Sequence, residues 1–347
     1  MLFGARGGIQ WLSFTGFIYY DIMTKCNRKV SIIIPLHNLC DRFKKDFAHF
    51  LNLDYPDYEI ISVYDNRISF QHERVISITT KKENTSPAEK RDLAIKAARG
   101  EICAFIDDDA YPDKDWVKNA VKYFDDEKVG AVGGPGLTPP EDKFLMKAGG
   151  LCYESFLGSG PNRYRFVKGK SRIVDDFPAY NLFVRKSVLD QIGGFGSPFY
   201  GGEDTKLCGE IVKFNKNIVY RPDVIVYHHR RPLFRAHLRQ IGNVGLHRGY
   251  FVKKYPKTSR KLAYFLPTFF AIYFFISMLL FISLKVALIF IIPVIPMVLF
   301  FIFSFADCLR LSKSVSMAFV AVCGISLMHI VYGISFVKGL LTKDLKV

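Results

Sequence analysis

Ile102-Cys103-Ala104-Phe105-Ile106-Asp107-Asp108-Asp109 is an apolar run that ends in three consecutive carboxylates. Ile102–Ile106 reads as a buried strand. The three charges that follow repel one another, so gathering them at one strand end is costly unless a cation or another partner compensates. Hard oxygen ligands suit Mg²⁺ or Mn²⁺, and such an ion also binds a diphosphate. The competing reading is a solvated acidic loop turning at Pro112, with Asp113 and Asp115 capping a helix over Trp116–Phe124. Taken alone, the run suits a phosphatase or a nucleotidyltransferase equally well.

The flanking sequence alternates between strand and helix patterns. Val30–Pro35 reads as a buried parallel strand. Asp41–Leu51 sets Phe43, Phe47 and either Phe50 or Leu51 on one helical face. Tyr58–Tyr64 is a second strand closing on Asp65, and Arg74–Ile78 a third. Ala88–Arg99 reads as a helix stopped by Gly100 as its C-cap. This series predicts an α/β, doubly wound sheet that holds ligands beyond the carboxyl ends of its strands. Asp65 and the Asp107–Asp109 run both fall at such ends.

The composition explains what lies downstream. The chain has 347 residues, 50% of them hydrophobic, and a formal net charge of +16. Leu262–Leu284, Val286–Ala306 and Ser314–Val337 contain no Asp, Glu, Lys or Arg, and each is long enough to cross a hydrocarbon core as a helix. Pro293 and Pro296 are expected to kink the second run. A charge of this size invites a nucleic-acid reading, but its placement opposes one. From His228 to Lys261 there are ten Lys or Arg residues and no acid, and this run ends where the first apolar stretch begins. Basic clusters beside a membrane segment attract anionic headgroups and mark the cytoplasmic side. Leu233, Phe234, Leu238, Ile241 and Val244 recur at helical spacing inside it, as in a helix lying along the interface. The seven cysteines show no close pair and fit a reducing compartment. Residues 1–29 form an N-terminal extension, aromatic enough for an interfacial anchor.

Two more constellations carry chemistry. Gly193-Gly194-Phe195 and Gly201-Gly202-Glu203-Asp204 place glycines, which admit close backbone approach, ahead of an acidic pair. That pair either supplies a general base or caps the helix that follows. His228–His229 ends the apolar strand Val224–Tyr227, and histidine ligates Mn²⁺-type metals, although a lone histidine is more often structural.

The series Val30–Asn38, Asp65, Lys90–Arg91, Asp107–Asp109, Gly193–Phe195, Glu203–Asp204 and His228, in this order and spacing, resembles the family 2 glycosyltransferases of the GT-A fold. Gly133–Pro140, Asn162–Arg165 and His228–Arg231 resemble a membrane-bound subgroup. The resemblance implies a Rossmann-like, doubly wound mixed sheet over residues 30–227, a basic interfacial segment over 228–261, and a C-terminal transmembrane region of two or three helices over 262–341. It implies that Pro35, Leu36 and Asn38 line a nucleobase pocket and that Asp65 reads the base, with Tyr64 where relatives often carry a second acid. Arg91 is implied at the base or phosphates, with Asp92 where Asn is commoner. Asp107 is implied at the ribose or sugar and as a metal ligand with Asp109 and His228, with His229 as the alternative histidine and Asp108 secondary. Asp204 is implied as general base, with Glu203 beside it orienting the acceptor.

The activity so implied is inverting transfer from a UDP- or GDP-sugar, with Mn²⁺ or Mg²⁺ as cofactor, to a lipid-linked or cell-envelope glycan acceptor. The expected setting is a multi-pass protein of the cell membrane with a cytoplasmic catalytic domain, membrane lipids as partners and no nucleic acid. Arg163, Arg165, Arg230 and Arg231 are candidates for a phosphate-bearing acceptor or the leaving diphosphate. A polyprenyl-phosphate glycosyl synthase is the alternative within the class, and a non-catalytic membrane scaffold with a retained GT-A fold the alternative outside it. A processive synthase fits less well, because Gln240 is not followed by the Arg-Trp that such enzymes share.

Overall fold

The computed structural model describes residues 28–37, 39–65, 72–80, 82–199, 201–283 and 294–345. The α/β part opens with β1 (Val30–Leu36), α1 (Asp41–Leu51), β2 (Tyr58–Asp65), β3 (Val75–Thr80), α2 (Pro87–Ala97) and β4 (Ile102–Phe105). It continues with β5 (Ala110–Pro112), α3 (Trp116–Val121), β6 (Val129–Gly133), β7 (Gly136–Leu137), α4 (Phe144–Glu154), α5 (Phe156–Ser159) and β8 (Arg172–Val174). It ends with β9 (Leu182–Arg185), α6 (Lys186–Ile192), α7 (Glu203–Lys213), β10 (Asn217–Tyr220) and β11 (Val226–His228). The main sheet has eight strands in the order β3-β2-β1-β4-β9-β6-β10-β8. β3, β2, β1 and β4 are parallel neighbours, whereas β9 runs antiparallel to both β4 and β6.

Every residue of β1 is buried, and its side chains alternate between two cores. Ile32 and Ile34 join Phe43, Phe50 and Trp116 on one side; Ile33 joins Ile95, Phe105 and Phe195 on the other. Helices on both faces account for the unbroken apolar pattern of the inner strands. A small second sheet, β5-β11-β7, folds over the carboxyl end of the first. Its register sets His228 opposite Ala110, next to Asp109.

Two expectations change here. The helix read as ending at Gly100 stops at Ala97, and Ala98 is already extended. Gly100 serves close packing instead: its N–H donates to Ser31 Oγ, and a Cβ there would sit 2.5 Å from the Ser31 nitrogen. The helix after the acidic run is α only to Val121 and tightens into a 3₁₀ turn over Lys122–Asp125.

Beyond β11 come α8 (Arg235–Lys254), α9 (Pro256–Ser259), α10 (Leu262–Ser283), α11 (Ile295–Ser312) and α12 (Val315–Leu341). The last three are long and apolar enough to cross a membrane. Pro296 lies in the first turn of α11 and starts that helix rather than kinking it, because the N–H that proline lacks has no helical partner there; Pro293 lies outside the described residues. The apolar stripe expected on α8 is divided. Leu233 and Ile241 are buried in a cluster with α12, while Phe234 and Val244 remain exposed.

Glycines set how closely α8 and α12 approach. A Cβ on Gly249 would run into the Phe336 carbonyl, and one on Gly339 into the Leu246 carbonyl. Gly249→Val is therefore expected to destabilise the protein by about 1–3 kcal/mol through overpacking. Gly209→Ala, with only Thr258 nearby at 3.9 Å, is expected to be neutral or mildly stabilising. Thermal unfolding in detergent compares the two.

Candidate active site

Three parallel strands deliver their carboxyl ends to one place. Asp65 ends β2, Leu36 ends β1, and Asp107–Asp109 follow β4. Lys90 of α2 ties the first two together, donating to the Leu36 carbonyl at 2.7 Å and pairing with Asp65 at 2.9 Å. Burial pushes the Asp65 carboxyl up, but hydrogen bonds from Lys90, Thr80 and Thr85 outweigh it and hold the group below the usual range. Pro35 and Leu36 are buried within β1, Tyr64 packs in the core, and Asn38 lies outside the described residues. Asp108 accepts the His37 N–H at 2.7 Å and so fastens the chain after β1 to the acidic run. Burial pushes its carboxyl up to about 6.

Arg91 is the hub. It is 2% exposed, pairs with Asp107 at 2.6 Å and with Glu203 at 2.8 Å, and lies over the Phe195 ring at 5.2 Å. Its guanidinium is thus committed to two carboxylates rather than left free for a ligand. Burial alone would favour its neutral form; the charges of Asp107 and Glu203 overcome that.

Asp107, Asp109 and His228 place one ligand atom each within 4.8 Å of one another. His228 Nε2 lies 2.9 Å from Asp109 Oδ1, and its ring packs 4.7 Å from Tyr180. Burial and the neighbouring Asp109 charge push Asp107 up, although Arg91 opposes them. Burial also works against Asp109, but His228, Arg231 and His229 outweigh it and bring the group to about 2. Two carboxylates and one imidazole this close form a donor set that fits a divalent cation of the Mn²⁺ or Mg²⁺ kind. His229 points elsewhere, since successive strand residues face opposite ways. Its ring sits between Asp46 of α1 and Asp142, which, against the cost of burial, raise it to about 9. That histidine is a buried ion-pair partner and not a member of the cluster.

On the far side of Arg91, α7 begins with the acidic pair. Gly202 caps it in the left-handed region at φ +77°, where a Cβ would collide with Phe251 of α8. Glu203 binds Arg91 and accepts the Gly201 N–H at 3.0 Å. Asp204 accepts the Thr205 N–H at 2.7 Å. Burial, then the charges of Glu203 and Asp176, push Asp204 up to about 7, with Arg248 acting in the opposite direction. A carboxyl titrating there can accept a proton near neutral pH. Asp92 clamps the preceding glycine loop, accepting the N–H groups of Phe195 (2.7 Å) and Gly196 (2.9 Å). Gly194, at φ +75°, leaves room for that carboxylate.

The four candidate arginines separate. Arg230 is buried and donates to the Gly136 carbonyl and, at 3.4 Å, to Thr138. Arg165 is spent on Asp176, and Arg163 donates to the Glu154 carbonyl. Arg231 is exposed and close enough for its charge to lower Asp109. Several residues that shape the site escaped the sequence reading: Asp46, Asp142, Asp176 and Arg248. Asp176 is 3% exposed and pairs with Arg248 of α8 at 3.0 Å while accepting the Thr205 hydroxyl at 3.1 Å. The acidic pair Asp175–Asp176 before the apolar Phe177 was the available signal.

Residues 31–193 match the family model described as Glycosyl transferase family 2. Among curated proteins, Glycosyltransferase AglE of Haloferax volcanii is 26% identical over 60% of this chain and 70% of its own length. A dolichyl N-acetyl-alpha-D-glucosaminyl phosphate 3-beta-D-2,3-diacetamido-2,3-dideoxy-beta-D-glucuronosyltransferase of Methanococcus voltae is 23% identical over 65% of this chain and 74% of its own. Among solved structures, a mannosyltransferase of Pyrobaculum calidifontis in complex with GDP-Man and Mn²⁺ shares the fold, with a TM-score of 0.53 at 17% identity over 94% of this chain and 95% of that one.

His229→Gln leaves Asp46 and Asp142 buried against a neutral partner. It is expected to destabilise the protein by about 3–5 kcal/mol, the cost of uncompensated buried charge, as read by denaturant unfolding in detergent.

Proposed function

We propose that this chain, whose residues 31–193 form a family 2 glycosyltransferase domain, transfers a sugar with inversion from a UDP- or GDP-sugar to a lipid-linked or envelope-glycan acceptor. The transfer takes place at the cytoplasmic face of a membrane. One observation carries the proposal: Arg91 joins the Asp107–Asp109–His228 cluster to the Glu203–Asp204 helix start. The cluster and the base are thereby held a fixed distance apart across a single site.

The donor's diphosphate lies at Asp107, Asp109 and His228, the residues that would hold Mn²⁺ or Mg²⁺. Bound there, such an ion neutralises the charge that develops on the departing nucleoside diphosphate. Arg231 adds an exposed cation on the same side. Asp65, kept ionised by Lys90, faces the base. Asp204 accepts the proton of the acceptor hydroxyl as its oxygen attacks the anomeric carbon and the bond to the diphosphate breaks. With Asp204 as base and, among the described residues, no second carboxylate assigned as a nucleophile, a single displacement inverts the anomeric centre. Glu203, fixed by Arg91 and the Gly201 N–H, keeps the start of α7 in register with the donor. The relative acting on a dolichyl-linked sugar phosphate and the apolar helices after the site support a lipid-linked acceptor. A lipid phosphate as acceptor, the synthase reading, is already ionised and has no proton to give up.

The test is turnover by purified protein in detergent with UDP- and GDP-sugars, Mn²⁺ or Mg²⁺, and either a polyprenyl-diphosphate-linked sugar or polyprenyl phosphate. Transfer to a hydroxyl is expected to rise with pH and level off above about 7, as Asp204 deprotonates. Asp204→Asn is expected to lower it by about 10²–10⁴-fold with donor binding kept. A loss under tenfold, with transfer to polyprenyl phosphate, selects the synthase. Absence of turnover with every pair selects the scaffold.

A further inference from the structure

The apolar helices α10, α11 and α12 are long enough to span a bilayer, but their neighbours constrain how they can lie in one. α8 and α12 run side by side in the same direction. Gly242 approaches Val331 and Ser335, Gly245 the Tyr332 carbonyl, and Gly249 that of Phe336. Lys253 then donates to the Thr342 carbonyl at 2.7 Å, past the end of α12. α8 exposes Arg235, Arg239, Asn243, Lys253 and Lys254. Were α12 to stand across the bilayer, it would carry these charges into hydrocarbon, where an unpaired Lys or Arg is costly.

The other half of α12 is no freer. Cys152 of α4 donates to the Ala321 carbonyl, Gly324 abuts Cys152 and Leu233, and His329 bonds the Leu157 carbonyl of α5. From Ala321 to Thr342 the helix is therefore packed along α4, α5 and α8.

Chain direction makes the same point independently. α10 is antiparallel to α12, with Phe265 on Phe336, Thr268 on Gly333 and Phe270 on His329. α11 is antiparallel to α12 as well, with Phe300 near His329 and a two-residue link from Ser312 to Val315. α10 and α11 thus point the same way, whereas directly consecutive spans must alternate; residues 284–293 between them lie outside the described residues. Away from α12, the helices expose Leu266, Phe269, Ile276, Ile302 and Phe303.

We propose that α10, α11 and α12 lie within one leaflet as a flat raft, with the α8 cations at anionic headgroups, so that the described chain binds its membrane from one side only. The catalytic part then rests on the bilayer with its site at headgroup level. The binding partner is the bilayer surface itself, and neither end of α12 reaches the opposite face.

Lys313 and Lys343 flank α12 and are both exposed, and the native Cys40, exposed on the catalytic part, reports which side that part occupies. Lys313→Cys and Lys343→Cys are labelled with a membrane-impermeant maleimide in spheroplasts and in inverted vesicles of the expression host, and each site is read by peptide mass spectrometry. The expected result is that both introduced cysteines label in the preparation where Cys40 labels, and neither in the other. Labelling of either one in the opposite preparation makes α12 a span and overturns the proposal. So does a site silent in both preparations yet labelled in detergent, since it lies within the bilayer core.

Discussion

Carboxylates gathered at one strand end repel one another, and much of this molecule is arranged around containing that repulsion. Asp107, Asp108, Asp109, Glu203 and Asp204 converge in partly buried surroundings where charge is weakly screened. Three devices hold them. Arg91 sits between Asp107 and Glu203; the His37 N–H takes Asp108; and His228 faces Asp109. Arg91 is fully buried, so removing either partner would leave a charge without compensation. The same geometry that contains the acids leaves Asp107, Asp109 and His228 open to a divalent ion and Asp204 titrating near neutrality. The cost of the acidic cluster and its chemistry have one origin.

A second ionic contact joins this site to the C-terminal helices. Asp176 lies between Arg165 and Arg248 and accepts a hydrogen bond from Thr205, whose N–H in turn holds Asp204. Arg248 belongs to α8, the helix laid along α12, and Phe251 of that helix closes on Gly202 at the start of α7. Docking of the apolar helices and placement of Asp204 are therefore two ends of one set of contacts.

Much of this was legible in the sequence, and the misses share a cause. The helix Asp41–Leu51 was readable to the residue because Phe43, Phe47 and Phe50 keep the helical period. The acidic run lay where a parallel strand must deliver its ligands. Gly100 misled because glycine serves both left-handed caps and close packing, and the sequence does not distinguish the two. His228 and His229 could not be separated until the pairing of β11 with β5 turned one towards Asp109 and the other towards Asp46 and Asp142. Arg165 and Arg230 looked available for phosphate, but their partners are carboxylates and carbonyls supplied by other elements. The three apolar runs were read as membrane segments, and the described helices there are long and apolar enough to cross one. Their direction relative to α12 is tertiary information that hydropathy does not contain.

The central claim is that one acidic strand end, completed by His228, holds the metal and the donor's diphosphate together. Pulsed electron paramagnetic resonance of Mn²⁺ bound to the purified protein tests it most directly. With UDP or GDP present, the account predicts ¹⁴N hyperfine coupling from an imidazole and ³¹P coupling from the diphosphate on the same ion. His228→Ala should remove the ¹⁴N signal. A fully hydrated Mn²⁺ spectrum, or a ¹⁴N signal that survives that substitution, would contradict it.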